Sequence, residues 1–373
     1  MCDTLCSIGP NGALFAKNSD RPSYEVQLIE SHAARPAGGT LRTTHIEIAD
    51  AGAFALMGAR PEWGWGLEHG VNEHGVAIGN EKLYTRLYAN KEPSALTGMD
   101  LVRLGLERGR TADEALEVIT SLLEEHGQGG VCDLTTGESY FSSFLICDAR
   151  SGWVLETSGR SWAARPIIGS AAISNRITIR TDWTRASADV ERGYDWDERR
   201  HPRAPTEHAD VRLAASNACL ADDAVTRGTL ARHLRDHGRG EWISVCMHLK
   251  DFQNTTSSII AQLPEKAGLP VRAWVAPGQP CVSAFVPVFP PHAVPAALAD
   301  TSTWHAYESL RKWQEADSEA LPRIREAFDT LEADLWAEAD SVAGEPEQQA
   351  AFVEEAWRRV WEATQRFVSV RSL

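Results

Sequence analysis

Short apolar segments that alternate with polar residues fill the first part of the chain, and Gly, Pro and Asn separate them. A period of two is typical of strands with one buried face, and the separating residues are typical of turns. The pattern predicts an antiparallel meander with strands over residues 13–17, 25–31, 41–48, 54–57 and 76–80.

Two helices are predicted to follow this meander. The first is indicated by apolar residues at helical spacing from Leu96 to Leu106. The second begins at a capping-box pattern in which Glu114 follows Thr111 by three positions, and Gly127 marks its end. Strands are predicted to resume over residues 144–148, 153–156, 161–164 and 171–174.

The chain changes character twice after residue 183. Residues 183–240 are polar and irregular, so we interpret them as an insertion or lid that contains one helix, introduced by Asp222-Asp223-Ala224-Val225. A last set of strands is predicted over residues 257–263, 271–276 and 282–288. From Ser302 onward the apolar spacing is helical and forms a wide aromatic stripe. Packing onto the main domain is the simpler explanation of this stripe, and a subunit interface in a homo-oligomer is the alternative.

The order of strands, two helices, strands and helices predicts an α+β protein, because antiparallel sheets must be covered by helices. A four-layer αββα sandwich of helix, sheet, sheet and helix fits this order, and it would place the N-terminal strand at the edge of a central sheet. We expect a main domain over residues 2–298 and a helical extension over residues 299–373 that packs on it.

The composition is that of a folded globular protein, with 373 residues of which 43% are hydrophobic and 24% are charged. The formal net charge of -15, from 52 acidic and 37 basic residues, disfavours binding to nucleic acid or to an anionic membrane. No apolar run approaches the length of a membrane span, and the N-terminus lacks a signal-peptide pattern. A cytoplasmic location is therefore expected.

Seven cysteines are scattered through the chain without a C-x-x-C pair. An odd, scattered set predicts reduced thiols, and it indicates neither a disulfide framework nor a structural zinc site. His69 and His74, five residues apart, also match no zinc-ligand spacing. We therefore predict no metal site and no cofactor.

Cys2 is the first candidate for chemistry. If Met1 is trimmed, as is usual before a small residue, the mature chain begins with a thiol and a free α-amine on one residue. An unperturbed α-amine has a pKa of about 7.7–8.0 and a thiol one of about 8.5, so the amine can take the thiol proton at neutral pH. The alternative is that Cys2 is an ordinary residue of a frayed terminus.

Two other places carry candidate groups. Asn175 directly follows a predicted strand, and a positioned Asn side chain can stabilise the oxyanion of acyl transfer, although a turn residue is the alternative. Cys246 and His248 could form another pair of nucleophile and base, in competition with Cys2. The sequence identifies no partner for this histidine.

Several runs of residues together resemble one family of enzymes. They are Cys2-Asp3-Thr4-Leu5, Lys17-Asn18-Ser19-Asp20-Arg21-Pro22, Asn72-Glu73-His74-Gly75-Val76, Ile78-Gly79-Asn80-Glu81, Gly98-Met99-Asp100, Ile173-Ser174-Asn175 and Val245-Cys246-Met247-His248. In number and order these runs resemble the secernin and dipeptidase A type of cysteine hydrolase. That family belongs to the N-terminal-nucleophile (Ntn) hydrolases and is distantly related to choloylglycine hydrolases and penicillin V acylases. The resemblance extends from residue 2 to about residue 290 and implies an Ntn-hydrolase-like fold.

The resemblance implies catalytic roles for individual positions. Cys2 would be the nucleophile, and Asp20 would hold and orient its amine. Lys17 stands where the choloylglycine branch has an arginine near the sulfur, and a cation there would lower the thiol pKa. Asn175 matches the side-chain oxyanion donor, and a backbone donor is expected near Asn80 or Glu81.

The resemblance also implies a small-molecule substrate. The choloylglycine branch has a further arginine near its last set of strands. The corresponding residues here, Thr256-Ser257-Ser258, include no arginine, so we do not expect the apolar pocket of that branch. Dipeptides are the implied substrates, with Glu68 and Glu81 as candidates to bind their ammonium group and Arg21 and Trp65 as further candidates to line the pocket. Two alternatives stay open, which are hydrolysis or acyl transfer on a non-peptide amide and a non-catalytic interaction module.

Overall fold

The structure is a computed structural model, and it describes residues 1–222, 224–238, 240, 243–266 and 268–370. The strands are, in chain order, β1 Cys2–Gly9, β2 Gly12–Pro22, β3 Gln27–His32, β4 Thr40–Arg42, β5 Glu47–Ala49, β6 Leu56–Pro61, β7 His69–Asn72, β8 Ala77–Leu83, β9 Phe141–Cys147, β10 Gly152–Ser158, β11 Ser161–Pro166, β12 Ser170–Ile173, β13 Arg185–Ala186, β14 His248–Leu249, β15 Gln253–Pro264, β16 Arg272–Pro277 and β17 Val286–Val288. The helices are α1 Gly98–Arg108, α2 Ala112–His126, α3 Thr206–Leu220, α4 Arg227–Leu234, α5 Thr301–Ala316, α6 Ala320–Val342 and α7 Pro346–Val370.

The strands form two large antiparallel sheets. The first has the order β12-β1-β2-β15-β16-β17, with β14 paired to β15, and the second has the order β13-β11-β10-β9-β8-β7-β6-β3. Strands β4 and β5 form a separate hairpin. The segment predicted as one strand over 41–48 is this hairpin, because the chain turns where the backbone N–H and the hydroxyl of Thr43 both donate to the carbonyl of Ile46.

The two sheets pack face to face around buried apolar side chains such as Cys6, Phe15 and Leu145. Helices α1 and α2 cover the outer face of the second sheet, and α3 and α4 cover the outer face of the first. The predicted α+β four-layer αββα sandwich is confirmed. As predicted, Thr111 caps α2 by accepting a hydrogen bond from the backbone N–H of Glu114.

One expectation about the layers is corrected. Strand β1 does not lie at the sheet edge, because β12 pairs with it from Thr4 to Ser7. In the described part of residues 183–240, α3 and α4 pack on the first sheet and the beginning of α3 reaches the cavity described below. An insertion or lid stays a prediction. Helix α4 begins at Arg227 after the N-cap Thr226, and Asp223 of the predicted helix start lies outside the described residues.

The C-terminal helices pack on the sandwich beside β17 and β3. Their aromatic stripe is largely buried, with Tyr307, Phe328 and Trp357 joining the same apolar cluster as Phe289. The simpler explanation of the tail therefore accounts for these side chains. A homo-oligomer stays a prediction.

Gly66 is required by a close approach of two backbones, and this yields a test of the fold. A Cβ atom at Gly66 would lie 2.2 Å from the carbonyl carbon of Met99 and 2.3 Å from the backbone nitrogen of Asp100, in the first turn of α1. We expect Gly66→Ala to lower the free energy of unfolding by about 1–3 kcal/mol, because neither backbone can move without breaking the helix start. Urea unfolding measures this, and Gly344→Ala, where the added atom meets nothing within 4 Å, is the control. Equal stability of the two variants would contradict the packing described here.

Candidate active site

Cys2 is the first residue of β1 and lies at the floor of a cavity of about 390 Å³. Its side chain is on the inner face of the first sheet and is 5% exposed. Most of the residues around the cavity have polar side chains. Five of them were predicted as site residues together with Cys2, namely Asp20, Arg21, Glu68, Asn80 and Asn175. The cavity thus joins the predicted nucleophile to most of the predicted site residues.

Asn175 holds the backbone nitrogen of Cys2. Strand β12 ends at Ile173, so the N–H of Cys2 has no partner in the sheet on that side. The Oδ1 atom of Asn175, two residues further, accepts this hydrogen bond at 2.8 Å. Its Nδ2 atom donates to the carbonyl of Lys82 at 3.0 Å. The oxygen of Asn175 therefore holds Cys2, and one of the two N–H groups of its amide is engaged by Lys82.

Arg212 is a site residue that sequence reasoning missed. It lies on α3, and its buried guanidinium donates to the carbonyl of Cys2 at 3.0 Å, to Asp3 Oδ2 at 2.6 Å and to Asn175 Oδ1 at 2.9 Å. Arg212 comes from a part of the chain with no recognisable motif, and its contacts order the strand end that carries Cys2.

Asp20 lies near the end of β2 and directly follows Ser19, the residue that is paired with Cys2. Its backbone N–H points at the sulfur of Cys2, 3.4 Å away. A bulge in β15 brings Thr255 to donate to Asp20 Oδ1 at 2.7 Å. The other oxygen, Oδ2, is buried without a hydrogen bond, although Arg212 Nη1 is 3.9 Å away. Burial raises the pKa of Asp20 to about 7 against the pull of the N-terminal ammonium and Arg212.

Lys17 is buried between the sheets beside Cys2 and Glu81. Its Nζ lies 3.8 Å from Glu81 Oε1, which also accepts a hydrogen bond from Thr4. Burial alone would lower the pKa of Lys17, but the charges of Cys2 and Glu81 raise it above its ordinary value, so the side chain stays cationic. Burial raises the pKa of Glu81 to about 7, with Lys17 opposing.

The cation of Lys17 acts on the thiol of Cys2. Burial raises the pKa of the thiol above its ordinary value, while Lys17 and the N-terminal ammonium lower it. Gly79 on β8 allows this approach, since a Cβ atom there would lie 2.5 Å from Lys17 Cδ. Lys17 therefore lies where its charge lowers the pKa of the Cys2 thiol, against the larger effect of burial.

Asn80 is a second asparagine that lines the cavity. It lies on β8, and its buried Oδ1 has no hydrogen-bond partner. Its Nδ2 lies near the beginning of α1, since a Cβ atom at Gly98 would be 2.8 Å from it. Within the described part of the chain, no group accepts a hydrogen bond from this Nδ2.

The predicted substrate-binding residues divide into two groups. Arg21 and Glu68 line the cavity, where Arg21 is anchored by Glu25 at 2.6 Å and lies 3.5 Å from Glu68 Oε1. Glu81 lies below Cys2 and is occupied by Lys17. Trp65 packs away from the cavity, with its ring 4.1 Å from the guanidinium of Arg103. Arg21 and Glu68 thus remain positioned to contact a substrate.

The other candidates of the sequence lie elsewhere. His69 is buried next to Ser19 at 3.1 Å, and burial lowers its pKa well below the usual range, whereas His74 packs on the ring of Phe54. Among the residues that the structure describes, no group of three metal-binding side chains includes either histidine. Cys246 is 3.6 Å from His248 but is 0% exposed, so no substrate reaches this competing pair.

The thiol of Cys2 yields a test of its electrostatic environment. Removing the cation by Lys17→Met should raise the thiol pKa, because a nearby positive charge favours the thiolate. The pH profile of alkylation at Cys2 should shift to higher pH by about one unit or more, with about tenfold slower reaction where the profile still rises and little loss at its plateau. Peptide mass mapping locates the adduct.

Two further variants control this experiment. Lys312→Met removes an exposed cation on α5 and should leave the profile unchanged. Lys17→Met combined with Glu81→Gln removes the carboxylate that Lys17 leaves behind, and it should shift the profile in the same direction. A loss of rate that is equal at every pH would mean that Lys17 only supports the fold.

None of the described helices has the length and apolar character needed to cross a membrane. No family model matches the sequence. The fold is similar to that of conjugated bile acid hydrolase from Clostridium perfringens, with a TM-score of 0.44 and 13% identity over 73% of this chain and 88% of that chain.

Two other solved structures are similar to this chain. One is the Caenorhabditis elegans ortholog of N-acylethanolamine-hydrolyzing acid amidase, with a TM-score of 0.42 and 11% identity over 72% of this chain and 95% of that chain. The other is penicillin V acylase from Agrobacterium tumefaciens, with a TM-score of 0.42 and 11% identity over 79% of this chain and 86% of that chain. Similarity at this level says nothing about activity or substrate.

Proposed function

We propose that the protein is a cysteine amidohydrolase whose nucleophile is Cys2, exposed as the N-terminal residue by removal of Met1. One observation carries the proposal, which is that both the thiol and the nitrogen of Cys2 are held at the floor of a polar cavity, the nitrogen by Asn175 at 2.8 Å. An ordinary frayed terminus would be exposed and without such partners. A thiol and an amine on one residue supply nucleophile and base together.

The environment favours a neutral amine that can act as the base. Burial lowers the pKa of the N-terminal amine of Met1. The Cys2 amine that replaces it would keep the contact of its nitrogen with Asn175, and the carboxylate of Asp20 nearby would favour its ammonium form. Asp20 thus favours the charged form of the amine, and Asn175 can bind its neutral form.

The proposed reaction has two halves. The amine takes the thiol proton, and the thiolate attacks the carbonyl carbon of the substrate amide. The resulting ammonium gives this proton to the leaving nitrogen as the C–N bond breaks, which leaves a thioester on Cys2. Water then attacks the thioester, with the same amine accepting its proton and returning it to the sulfur. The products are a carboxylic acid, an amine and the free enzyme.

We assign the side-chain contribution to the oxyanion hole to Asn80. The resemblance assigned that role to Asn175, whose amide already binds Cys2 and Lys82. Asn80 lines the same cavity and its Nδ2 donates to no described group, and an amide N–H that is positioned before reaction is effective at stabilising an oxyanion. Asn175 then serves to position the nucleophile.

The cavity favours small substrates that carry a free ammonium group. Its volume of about 390 Å³ is near the lower end of the range of about 300–1,000 Å³ for small-molecule sites. Glu68 lines the cavity, and its Oε1 has no hydrogen bond although Arg21 Nε lies 3.5 Å away, so this carboxylate can bind an ammonium beside the guanidinium. The exposed aromatic rings of Tyr24 and Phe252 flank the mouth and can contact an apolar side chain. A dipeptide has these features, and dipeptides are also the substrates that the sequence resemblance implies.

Cys2→Ala should abolish hydrolysis of dipeptides, with kcat/KM falling by at least about 10³-fold, because no other group at the cavity can form the acyl intermediate. Release of amino acids from a panel of dipeptides and N-acyl amino acids measures this. The intact mass of the active protein should lack Met1. Cys219→Ala, at a half-buried thiol outside the cavity, is the matched control and should retain activity.

Three results would contradict this proposal. They are activity that survives Cys2→Ala, an active protein that retains Met1, and hydrolysis of no member of the panel. If the protein hydrolysed N-acyl amino acids but not dipeptides, Cys2 would remain the proposed nucleophile. The proposal that Glu68 binds a substrate ammonium would be wrong.

Asn80→Ala should lower kcat by about 10²–10³-fold with little change in KM, because the amide would bind the oxyanion and not the ground-state carbonyl. Asn175→Ala should instead disturb Cys2 itself, so its rate of alkylation should change as well. Steady-state kinetics together with the alkylation rate of Cys2 separates the two roles. Slower alkylation in Asn80→Ala with unchanged alkylation in Asn175→Ala would reverse the assignment.

A further inference from the structure

Four side chains that can bind a metal converge behind the active site. They are His237 in the loop after α4, Cys246 and His248 at the entry to β14, and Cys281 in the short turn Pro280–Val282. The four ligand atoms all lie within 4.8 Å of one another. The two cysteines are fully enclosed and the two histidines are half-buried, so the group is shielded from solvent. It stands apart from the cavity that contains Cys2.

The distances match a tetrahedral site for zinc. Zinc binds sulfur at about 2.3 Å and imidazole nitrogen at about 2.0–2.1 Å, so a tetrahedron has S···N edges of about 3.6 Å and N···N edges of about 3.3 Å. His248 Nε2 lies 3.6 Å from Cys246 Sγ, 3.5 Å from Cys281 Sγ and 3.1 Å from His237 Nε2. These separations leave room for one ion at the centre.

The chemistry of the group also fits zinc. Two thiolates and two neutral imidazoles neutralise one divalent ion, and tetrahedral S₂N₂ coordination is typical of Zn²⁺. The other ring nitrogen of His248, Nδ1, lies 3.3 Å from Glu315 on α5. A carboxylate on the far nitrogen is the usual partner of a zinc-bound histidine, because it orients the ring and sets its tautomer. Glu315 is itself held by Arg311 at 2.6 Å.

We propose that His237, Cys246, His248 and Cys281 bind a structural Zn²⁺ ion. Four protein ligands leave no open position for water, so the ion would not take part in the reaction. The sequence did not indicate this site, because its ligands come from three separate segments without a zinc-binding spacing. The proposal is independent of the hydrolase activity.

The ion would support the wall behind Asp20. Met247, between two of the ligands, donates its backbone N–H to Thr255 at 2.9 Å, and Thr255 binds Asp20 at 2.7 Å. Gln279, two residues before Cys281, donates to the carbonyl of Met247 at 2.9 Å. A bound ion would thus connect the loop after α4, the turn before β17 and the segment that positions Asp20.

Elemental analysis tests the proposal directly. The full chain, made without a histidine tag in zinc-supplemented medium and purified without chelator, should contain about one zinc ion per chain. Protein loaded with Co²⁺ should show thiolate-to-cobalt charge-transfer bands and the intense visible absorption of tetrahedral cobalt. Removal of zinc by a chelator should lower the melting temperature, because zinc binds only the folded arrangement of the ligands.

Variants assign the ligands. Cys246→Ser and Cys281→Ser should lose the ion and the charge-transfer bands, whereas Cys219→Ser should keep both. His248→Asn should behave like the two serine variants, with His292→Asn as its control. Glu315→Gln should keep the tetrahedral cobalt spectrum and weaken zinc binding about 10–100-fold.

Several outcomes would overturn the proposal. They are wild-type protein that contains no zinc and gives no tetrahedral cobalt spectrum, zinc that Cys246→Ser retains in full, and a Cys246–Cys281 disulfide in protein purified under reducing conditions. Because the wild-type measurements need no variant, a failure of any variant to fold leaves the test intact. None of these readouts depends on Cys2, so they are separate from the test of the proposed function.

Discussion

Burial of charged groups around the first residues of the chain is the constraint on which the site depends. Lys17 and Arg212 have fully enclosed side chains, and each lies beside a carboxylate, Glu81 and Asp3 respectively. An isolated charge in such a place would cost several kcal/mol, so these groups are stable only as a matched set. The sandwich can enclose these two cations beside Cys2 because each has a carboxylate partner.

The same set explains why both faces of the first sheet contribute to the site. Side chains alternate along β1, so Cys2 and Thr4 face the second sheet while Asp3 faces α3. Lys17 and Glu81 therefore support Cys2, the proposed nucleophile, from between the two sheets. Arg212 supports it from the helix layer. A helix layer that serves mainly to cover a sheet thereby also orders the reactive end of a strand.

Much of the fold was predictable because it depends on local patterns. Alternating segments identified β2 and β8, and Thr111 identified the beginning of α2. Lys17 and Asp20 could be related to Cys2 because a tight turn between β1 and β2 returns the chain directly beside it. Where two elements are neighbours in sequence, the pattern of residues contains enough information to place them together.

The remaining features depend on contacts between distant parts of the chain. Arg212 reaches Cys2 across 210 positions, from a helix without a regular apolar stripe, so no pattern near either residue indicates the contact. The cluster of His237, Cys246 and Cys281 depends in the same way on how two loops meet. The position of Asn175 was predictable, but the contact between its Oδ1 and the nitrogen of Cys2 was not, because the sequence does not show which atom of the amide faces Cys2.

Asn175 has a mechanical consequence for the whole molecule. Its oxygen binds Cys2 on one sheet and its nitrogen binds the carbonyl of Lys82 on the other, so a single amide links the two halves of the sandwich at the cavity. Any sliding of one sheet over the other would change both distances. The alignment of the reactive residue therefore reports on packing throughout the apolar interior, and substitutions far from the cavity can alter reactivity without touching any residue that lines it.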